Sequence, residues 1–335
     1  MALLHLFQNR DWNTDILGNY SEEIVLQNLN ESDKNEYAII KKKKYRFLPF
    51  YSLRITFGPV INYDKSESIS QMLEKIKELA KNTKAVSIEF NPYVWEYDSS
   101  LTNLLEANKF VKTSDYVYKN SIIVDLSLSE EELFKQFERR GQKAVRQSVD
   151  RGVRVELTQL NAASFDTFYH LYKTTCSRTQ FIPEDYFSLK KQLLYWHSKS
   201  KVYLFFAYFE EKVIGSLLLF NNEDSVSTVY QGNDYDPEMM NKRASNAMYW
   251  ETMKWAKANG FKCYDFGGIT VSESYEEEKK EGIHNFKTQF GGKIVSFPGN
   301  YIYVNRPFPL FFIKMIQPIY SLIALSRAKS KAFKS

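Results

Sequence analysis

The chain is poor in the residues that metal, thiol or imidazole chemistry draws on. It has two cysteines and four histidines in 335 residues. Cys176 and Cys263 show neither metal-site nor redox-pair spacing, so a reducing, cytoplasmic compartment is expected, with no metal. His5, His170, His197 and His284 are scattered. No Ser/His/Asp or Cys/His arrangement emerges, and Cys176 reads as a helix-face residue rather than a nucleophile. Long apolar runs are missing as well. Residues 1–7 are too short for a secretory segment, and Arg10 and Asp11 follow soon after. Residues 308–325 are apolar and aromatic, but Lys314, Gln317 and Pro318 interrupt them, which falls short of a spanning helix. Acid is absent from the C-terminal end: residues 282–335 hold eight Lys or Arg and no Asp or Glu. Taking those eight away from the net charge of +5 leaves −3 for the rest. Such a basic end attracts phosphates of nucleic acid or anionic lipid.

What is present suits a sizeable α/β protein. A length of 335 residues suggests about two domains of ordinary size, and 44% hydrophobic residues, with aromatics at 16%, are enough for a sizeable core. Residues 70–81 read as an amphipathic helix with Ile69, Met72, Leu73, Ile76, Leu79 and Ala80 on one face. A strand at 85–90, a helix at 100–108 and a strand at 121–126 follow. Ser129 with Glu132 forms a capping box that opens a helix expected to reach about residue 149. The second half brings a strand at 153–157, helices at 163–175 and 184–197, a meander over 202–230, then a helix at 244–259 leading into a strand at 262–266. Lys41 to Lys44 reads as a charged hairpin turn. Residues 80–90 align without gaps on 256–266, matching Ala-Lys at the start and acid-Phe at the end. That fits a duplicated helix-into-strand unit and two similar α/β halves.

The chemistry concentrates between 264 and 292. Tyr264-Asp265-Phe266-Gly267-Gly268-Ile269 is followed by a charged loop and then Phe286-Lys287-Thr288-Gln289-Phe290-Gly291-Gly292. A Gly pair at a strand end either makes a tight turn or lets a ligand lie against the backbone. Lys287, between Phe286 and Phe290, is a candidate desolvated cation; the alternative is a surface lysine beside a turn. Asp265 is either a catalytic carboxylate or the cap of the Gly-Gly turn. Arg139, Arg140, Lys143, Arg146, Arg151 and Arg154 form a basic stretch in which Arg139, Lys143 and Arg146 share a helix face. It either touches phosphates or is simply solvated.

These segments resemble the Fem-type aminoacyltransferases, which build peptidoglycan cross-bridges from aminoacyl-tRNA. The resemblance extends over nearly the whole chain. It includes Gln8 and Trp12, Gly58-Pro59-Val60, the basic helix from Arg139, Thr175 to Arg178, and Tyr230-Gln231-Gly232. It implies two GNAT-like domains: residues 1–145 completed by 306–335, and residues 146–305. No stretch between 165 and 200 is long enough for the coiled-coil arm of some relatives. The resemblance also implies that Lys287 stabilises charge or holds phosphate, with Phe286 beside it. Arg178 would contact the acceptor diphosphate, Tyr230 would line the acceptor cleft, and Gly267 and Gly268 would border it. Arg140 and Lys143 would contact substrate phosphates. The co-substrate would be aminoacyl-tRNA, with no cofactor, and the acceptor a peptidoglycan precursor. A monomer is expected, working at the inner face of the membrane.

Two departures bear on the acceptor and the base. Trp12 is followed by Asn13, Thr14, Asp15 and Ile16, without the lysine of relatives that take nucleotide-linked precursors, which points to a lipid-linked acceptor. Asn91 stands where some relatives carry an acid, leaving Asp265, water or the substrate to take the amine's proton. The alternative activity is an acyl-CoA or acyl-carrier N-acyltransferase acting on an amino sugar or surface polysaccharide, although no clear coenzyme A pyrophosphate loop is present. Residues 308–335 combine an apolar face with a basic flank, and either pack on the first domain or touch an anionic membrane surface.

Overall fold

The computed structural model describes residues 8, 24–28, 36–45, 48–95, 97–113, 119–179, 181–269 and 278–316, of which 24–28 and 278–281 for the backbone alone. Trp12, the loop at 270–277 and residues 317–335 lie outside the described residues. Two compact units emerge: residues 1–117 with 297–335, and residues 118–296.

In chain order the strands of the first unit are β1 (Ile24–Asn28), β2 (Tyr37–Lys44), β3 (Tyr51–Ile55), β4 (Ser87–Phe90) and β5 (Val111–Thr113). Those of the second are β6 (Asn120–Asp125), β7 (Val153–Thr158), β8 (Val202–Phe209), β9 (Lys212–Asn222), β10 (Ser225–Asn233), β11 (Cys263–Ile269) and β12 (Lys293–Ser296). Finally β13 (Asn300–Val304) returns to the first sheet, between β4 and β5. The division differs from the expected boundaries at 145 and 305. The reason is pairing: β6 bonds to β11 and β12, so the segment from 120 onward belongs to the second sheet. Residue 145 falls inside a helix of that unit.

The first sheet runs β1-β2-β3-β4-β13-β5. Helix α1 (Ser66–Asn82) buries Ile69, Met72, Leu73, Ile76 and Ala80 against it, the face its periodicity marked. Each large side chain of that set contributes about 1.5–3 kcal/mol by leaving water. Helix α2 (Ser99–Ala107) starts where Asp98 accepts a hydrogen bond from Ser100 N–H. Buried Gln8 stitches this unit together. Its Nε2 donates to Thr56 O (2.9 Å) and its Oε1 accepts from Ile39 N–H (2.8 Å). Lys41 to Lys44 do not form the expected turn; they lie in β2, paired with β3.

The second sheet runs β12-β6-β11-β10-β9-β8-β7. Its helices are α3 (Glu130–Gln136), α4 (Arg139–Asp150), α5 (Ala162–Thr179), α6 (Tyr186–Ser198), α7 (Pro237–Asn241), α8 (Ala244–Ala258) and α9 (Glu278–Thr288). The Ser129–Glu132 capping box is present, with Glu132 N–H donating to Ser129 Oγ and Ser129 N–H to Glu132 Oε2. The helix it opens stops early, however. Phe137 is extended (ψ 140°) and buried among Phe134, Trp250 and Phe290, and Glu138 N–H then donates to Gln289 O. One expected helix is therefore two. Helices α5 and α6 span 18 and 13 residues, and among the described residues there is no coiled-coil arm.

Each sheet is antiparallel apart from one parallel pair. In the first unit α1 connects parallel β3 and β4; in the second α8 connects parallel β10 and β11. The aligned segments 80–90 and 256–266 fall on these two helix-into-strand units, so the faint repeat marks the same crossover in each half. Among the described residues, no helix is long and apolar enough to cross a membrane.

Candidate active site

The site forms where the parallel pair of the second unit parts. Strands β10 and β11 pair only from Ser225–Cys263 to Ser227–Asp265, yet continue to Asn233 and Ile269. Both strands are irregular just beyond the last pair. Strand β10 shifts register against β9 between Thr228 and Tyr230, and β11 shifts against β6 between Asp265 and Gly268. Bulges of this kind re-aim side chains and release backbone groups from the ladder. The C-terminal edge of a parallel pair is also where α/β sheets commonly place ligands.

Lys287, in the last turn of α9, takes up two carbonyls at the β11 bulge, one within it and one where the ladder resumes. Its Nζ donates to Phe266 O (2.6 Å) and Gly268 O (2.9 Å). Phe266 O also accepts from Thr228 Oγ1 (2.6 Å), and Gly267 O from Ser121 Oγ (3.0 Å). Close by, Phe266 stacks on Tyr249 (5.0 Å) and Phe286 meets Tyr249 edge-on (5.4 Å). Lys287 is half-buried as a residue, but its ammonium end is enclosed, and burial lowers its pKa to about 8 against the pull of Asp265. An ammonium has three N–H groups. Two are used here, and the third has no partner among the described residues.

Asp265 is 3% exposed. Its Oδ1 accepts from Gly267 N–H (2.7 Å) and from Ser121 Oγ. Burial raises its pKa, while the bonds from Ser121 and Gly267 and the nearby Lys287 oppose the rise. This is the geometry of a cap on the Gly-Gly turn, and it favours that alternative over a base meeting substrate. Gly267 has φ +68°, and a Cβ there would lie 2.7 Å from Thr228 O. The close approach that glycine permits is thus to β10, not to a ligand. Gly268 is partly accessible and offers its carbonyl to Lys287. In the first unit, Asn91 Oδ1 is engaged by Phe57 N–H (2.9 Å).

Tyr230 sits on the opposite face of the sheet. Thr228 pairs with Leu219 and Tyr230 with Leu218, so the bulge turns Tyr230 away from the face that Thr228 shares with Lys287. Its ring meets Tyr172 (5.3 Å) and Phe168 (6.3 Å) of α5. Arg178, exposed in the last turn of α5, lies 4.4 Å from the centroid of Tyr235 and has no ion pair among the described residues. Asn233 N–H donates to Thr175 Oγ1 (3.0 Å), which ties this end of α5 to the end of β10. Because β10 and β11 are parallel, the Lys287 and Arg178 clusters share one edge of the sheet, one on each face. A polar chain runs beside β10: Tyr249 OH donates to Gln231 Oε1 (3.2 Å), Gln231 Nε2 to Ser245 Oγ (2.8 Å), and Ser245 Oγ to Asn233 Oδ1 (2.9 Å).

Helix α4 is seated on the end of α9. A Cβ on Gly141 would lie 2.6 Å from Gln289 O, so only glycine allows this approach. Arg140 donates to Asn285 O (2.8 Å) and pairs with Glu138 (2.7 Å). Arg139 and Lys143 are exposed without an ion pair among the described residues, and Arg146 lies over Phe134. Ser121, Thr228 and Tyr249 escaped the sequence reading. Ser121 and Thr228 look like ordinary strand residues until the bulges bring carbonyls to them, and Tyr249 looks like an ordinary helix residue. Lys287 lines neither of two surface recesses. One of about 790 Å³ is lined by Tyr63, Tyr97 and Asp98; another of about 570 Å³ is lined by Asp166, His170 and Asp234.

Two α/β units, each with one crossover in an otherwise antiparallel sheet, define a tandem GNAT-like protein. The crystal structure of FemX has this fold: it covers 95% of this chain and 94% of its own, with a TM-score of 0.78 at 19% identity. Two curated proteins named lipid II:glycine glycyltransferase are similar in sequence. That of Staphylococcus haemolyticus (strain JCSC1435) is 25% identical over 370 residues, covering 86% of this chain and 84% of that protein. That of Staphylococcus aureus is 27% identical over 273 residues, covering 78% of this chain and 61% of that protein. The pattern of the FemAB family matches residues 2–113 and 205–317. The chain belongs to the FemAB family.

Proposed function

We propose that this protein is an aminoacyltransferase that moves an amino acid from aminoacyl-tRNA to a primary amine of a lipid-linked peptidoglycan precursor, forming an interpeptide bridge. The observation that carries the reading is the enclosed Lys287 ammonium at the parted strands, in a chain whose curated relatives are named lipid II:glycine glycyltransferase. The acceptor amine attacks the ester carbonyl. A C–N bond forms, the C–O bond to the ribose breaks, and the amine's proton leaves to the departing oxygen or to water. The ester is already activated, so neither a cofactor nor a covalent enzyme intermediate is required. The N–H of Lys287 that has no partner among the described residues would be offered to the charge that develops on the carbonyl oxygen, and such a preset donor is worth most in an enclosed site.

Arg178, with a planar fork suited to paired phosphate oxygens, would hold the acceptor's diphosphate, and Tyr230 would position the acceptor beside it. Arg139, Lys143 and Arg146 on α4 would follow the RNA backbone, next to the helix end that carries Lys287. Phe286 packs the lysine's surroundings, and Asp265 braces the bulge. A lipid-linked acceptor would set the reaction at the inner face of the membrane. The test is transfer of radiolabel from a mixture of charged tRNAs to lipid-linked and soluble precursors, with Lys287→Ala beside the wild type. Label that reaches the lipid-linked precursor and is lost in the variant supports the reading and identifies the amino acid. Absence of transfer from a folded protein rejects it and turns the search to acyl-CoA donors.

A further inference from the structure

The helix at 307–316 presents two apolar sides. Leu310 and Ile313, 7% and 2% exposed, pack inward with Val86, Tyr45, Leu48, Phe50 and Ile302. On the opposite side Phe308, Phe311, Phe312 and Met315 are 72%, 62%, 43% and 58% exposed. Their spacing of i, i+3, i+4 and i+7 sets them in one stripe. They also touch one another: the rings of Phe308 and Phe312 are 4.9 Å apart and those of Phe311 and Phe312 are 6.2 Å apart. The stripe is therefore one apolar patch, and contiguous patches of large side chains mark interaction surfaces.

We propose that this stripe is a membrane-contact surface that lies in the interfacial layer of an anionic bilayer. The charges on the same segment, and in the sequence that follows it, choose the occupant. Arg306 and Lys314 are exposed on the same segment, and residues 317–335 add four basic residues and no acid. A second copy of the chain docked face to face would bring these like charges together, because a two-fold contact opposes each patch to itself. An anionic lipid surface instead neutralises them while burying the rings, the pairing that holds helices in the membrane plane. The inference goes beyond aminoacyl transfer, and its test contains neither tRNA nor precursor.

Flotation of the full chain with phosphatidylcholine vesicles, with and without phosphatidylglycerol, measures the contact. The wild type floats with the anionic vesicles. Phe308→Ser/Phe311→Ser/Phe312→Ser lowers the bound fraction about tenfold or more, because rings that enter the interface supply most of the apolar area. Leu157→Ser, which alters an exposed apolar residue of β7, leaves binding unchanged. Phe311→Trp, in a chain with five tryptophans of its own, reports by its difference in emission from wild type, with a blue shift of that difference on adding anionic vesicles. Flotation of the triple variant equal to wild type would overturn the proposal by leaving binding to tail charge alone. So would a wild-type dimer that the triple variant splits, without vesicle binding. Should the triple variant fail to fold, absence of a blue shift in Phe311→Trp overturns the proposal on its own. A negative result leaves aminoacyl transfer to be judged by its own label assay, and failure of that assay leaves vesicle binding intact.

Discussion

Replacing Lys287 by Met keeps the length of the stem and deletes the ammonium. In the folded chain burial holds this lysine at about 8, against 10.5 in an ordinary environment. Between those values the unfolded chain binds the extra proton. Wild-type stability therefore rises with pH through that window and levels off above it. The gap is equivalent to about 3 kcal/mol. Lys287→Met lacks this titration, so the stability difference between the two proteins must change by about 3 kcal/mol in favour of wild type, from neutral pH to above the ordinary lysine range. Urea unfolding of both proteins at the two ends of the window measures it. Hydrogen bonds lost by Phe266 O and Gly268 O shift the variant by a constant amount and do not mimic the pH dependence. In the transfer assay the same variant should lose about 10²–10³-fold in kcat/KM, the cost of removing one preset oxyanion donor. The wild-type rate should fall on the alkaline side as Lys287 loses its proton near 8. Parallel stability curves, or full activity of Lys287→Met at neutral pH, would refute the assignment of an enclosed, working cation.

Three further outcomes are expected. Gly267→Ala should cost about 3 kcal/mol in urea unfolding, because a left-handed backbone and a contact with Thr228 O both oppose a Cβ. Gly260→Ala, equally left-handed but with nothing within 4 Å, should cost only about 1–2 kcal/mol. Arg178→Lys should raise the KM for a diphosphate-bearing acceptor about tenfold with little change in kcat, since a lysine cannot pair two phosphate oxygens at once. A Gln triple variant at Arg139, Lys143 and Arg146 should flatten the dependence of the KM for aminoacyl-tRNA on log salt by about 2, near the loss of three phosphate contacts; an unchanged slope would remove α4 from the RNA path.

Much of the architecture is written in local patterns. The apolar face of α1, the capping box at Ser129 and the meander of β8 to β10 are set by periodicity and turn chemistry, and they fall where those signals place them. The gaps come from non-local causes. The break between α3 and α4 exists because Phe137 is drawn into a core built by Trp250 and Phe290, more than a hundred positions away. Alternation along β10 would place Tyr230 on the same face as Thr228, and a one-residue bulge reverses it. Lys287 is recognisable as a cation between aromatics, but its partners are carbonyls, and carbonyls leave no mark in a sequence. Asp265 illustrates the converse. Its motif is plain, while its task as a cap is decided by Ser121 and Gly267 N–H.

Strand β13 has a consequence for how the chain is made. It lies inside the first sheet, bonded to β4 on one side and β5 on the other, although it is built from residues 300–304. A ribosome emits every residue of the second unit before it emits this strand. The second unit can thus close while the first still has a gap between β4 and β5, with two unpaired edges awaiting a strand from nearly two hundred residues downstream. The N-terminal unit is begun first and completed last, and in that interval its open edges are where a nascent chain is most in need of protection from its neighbours.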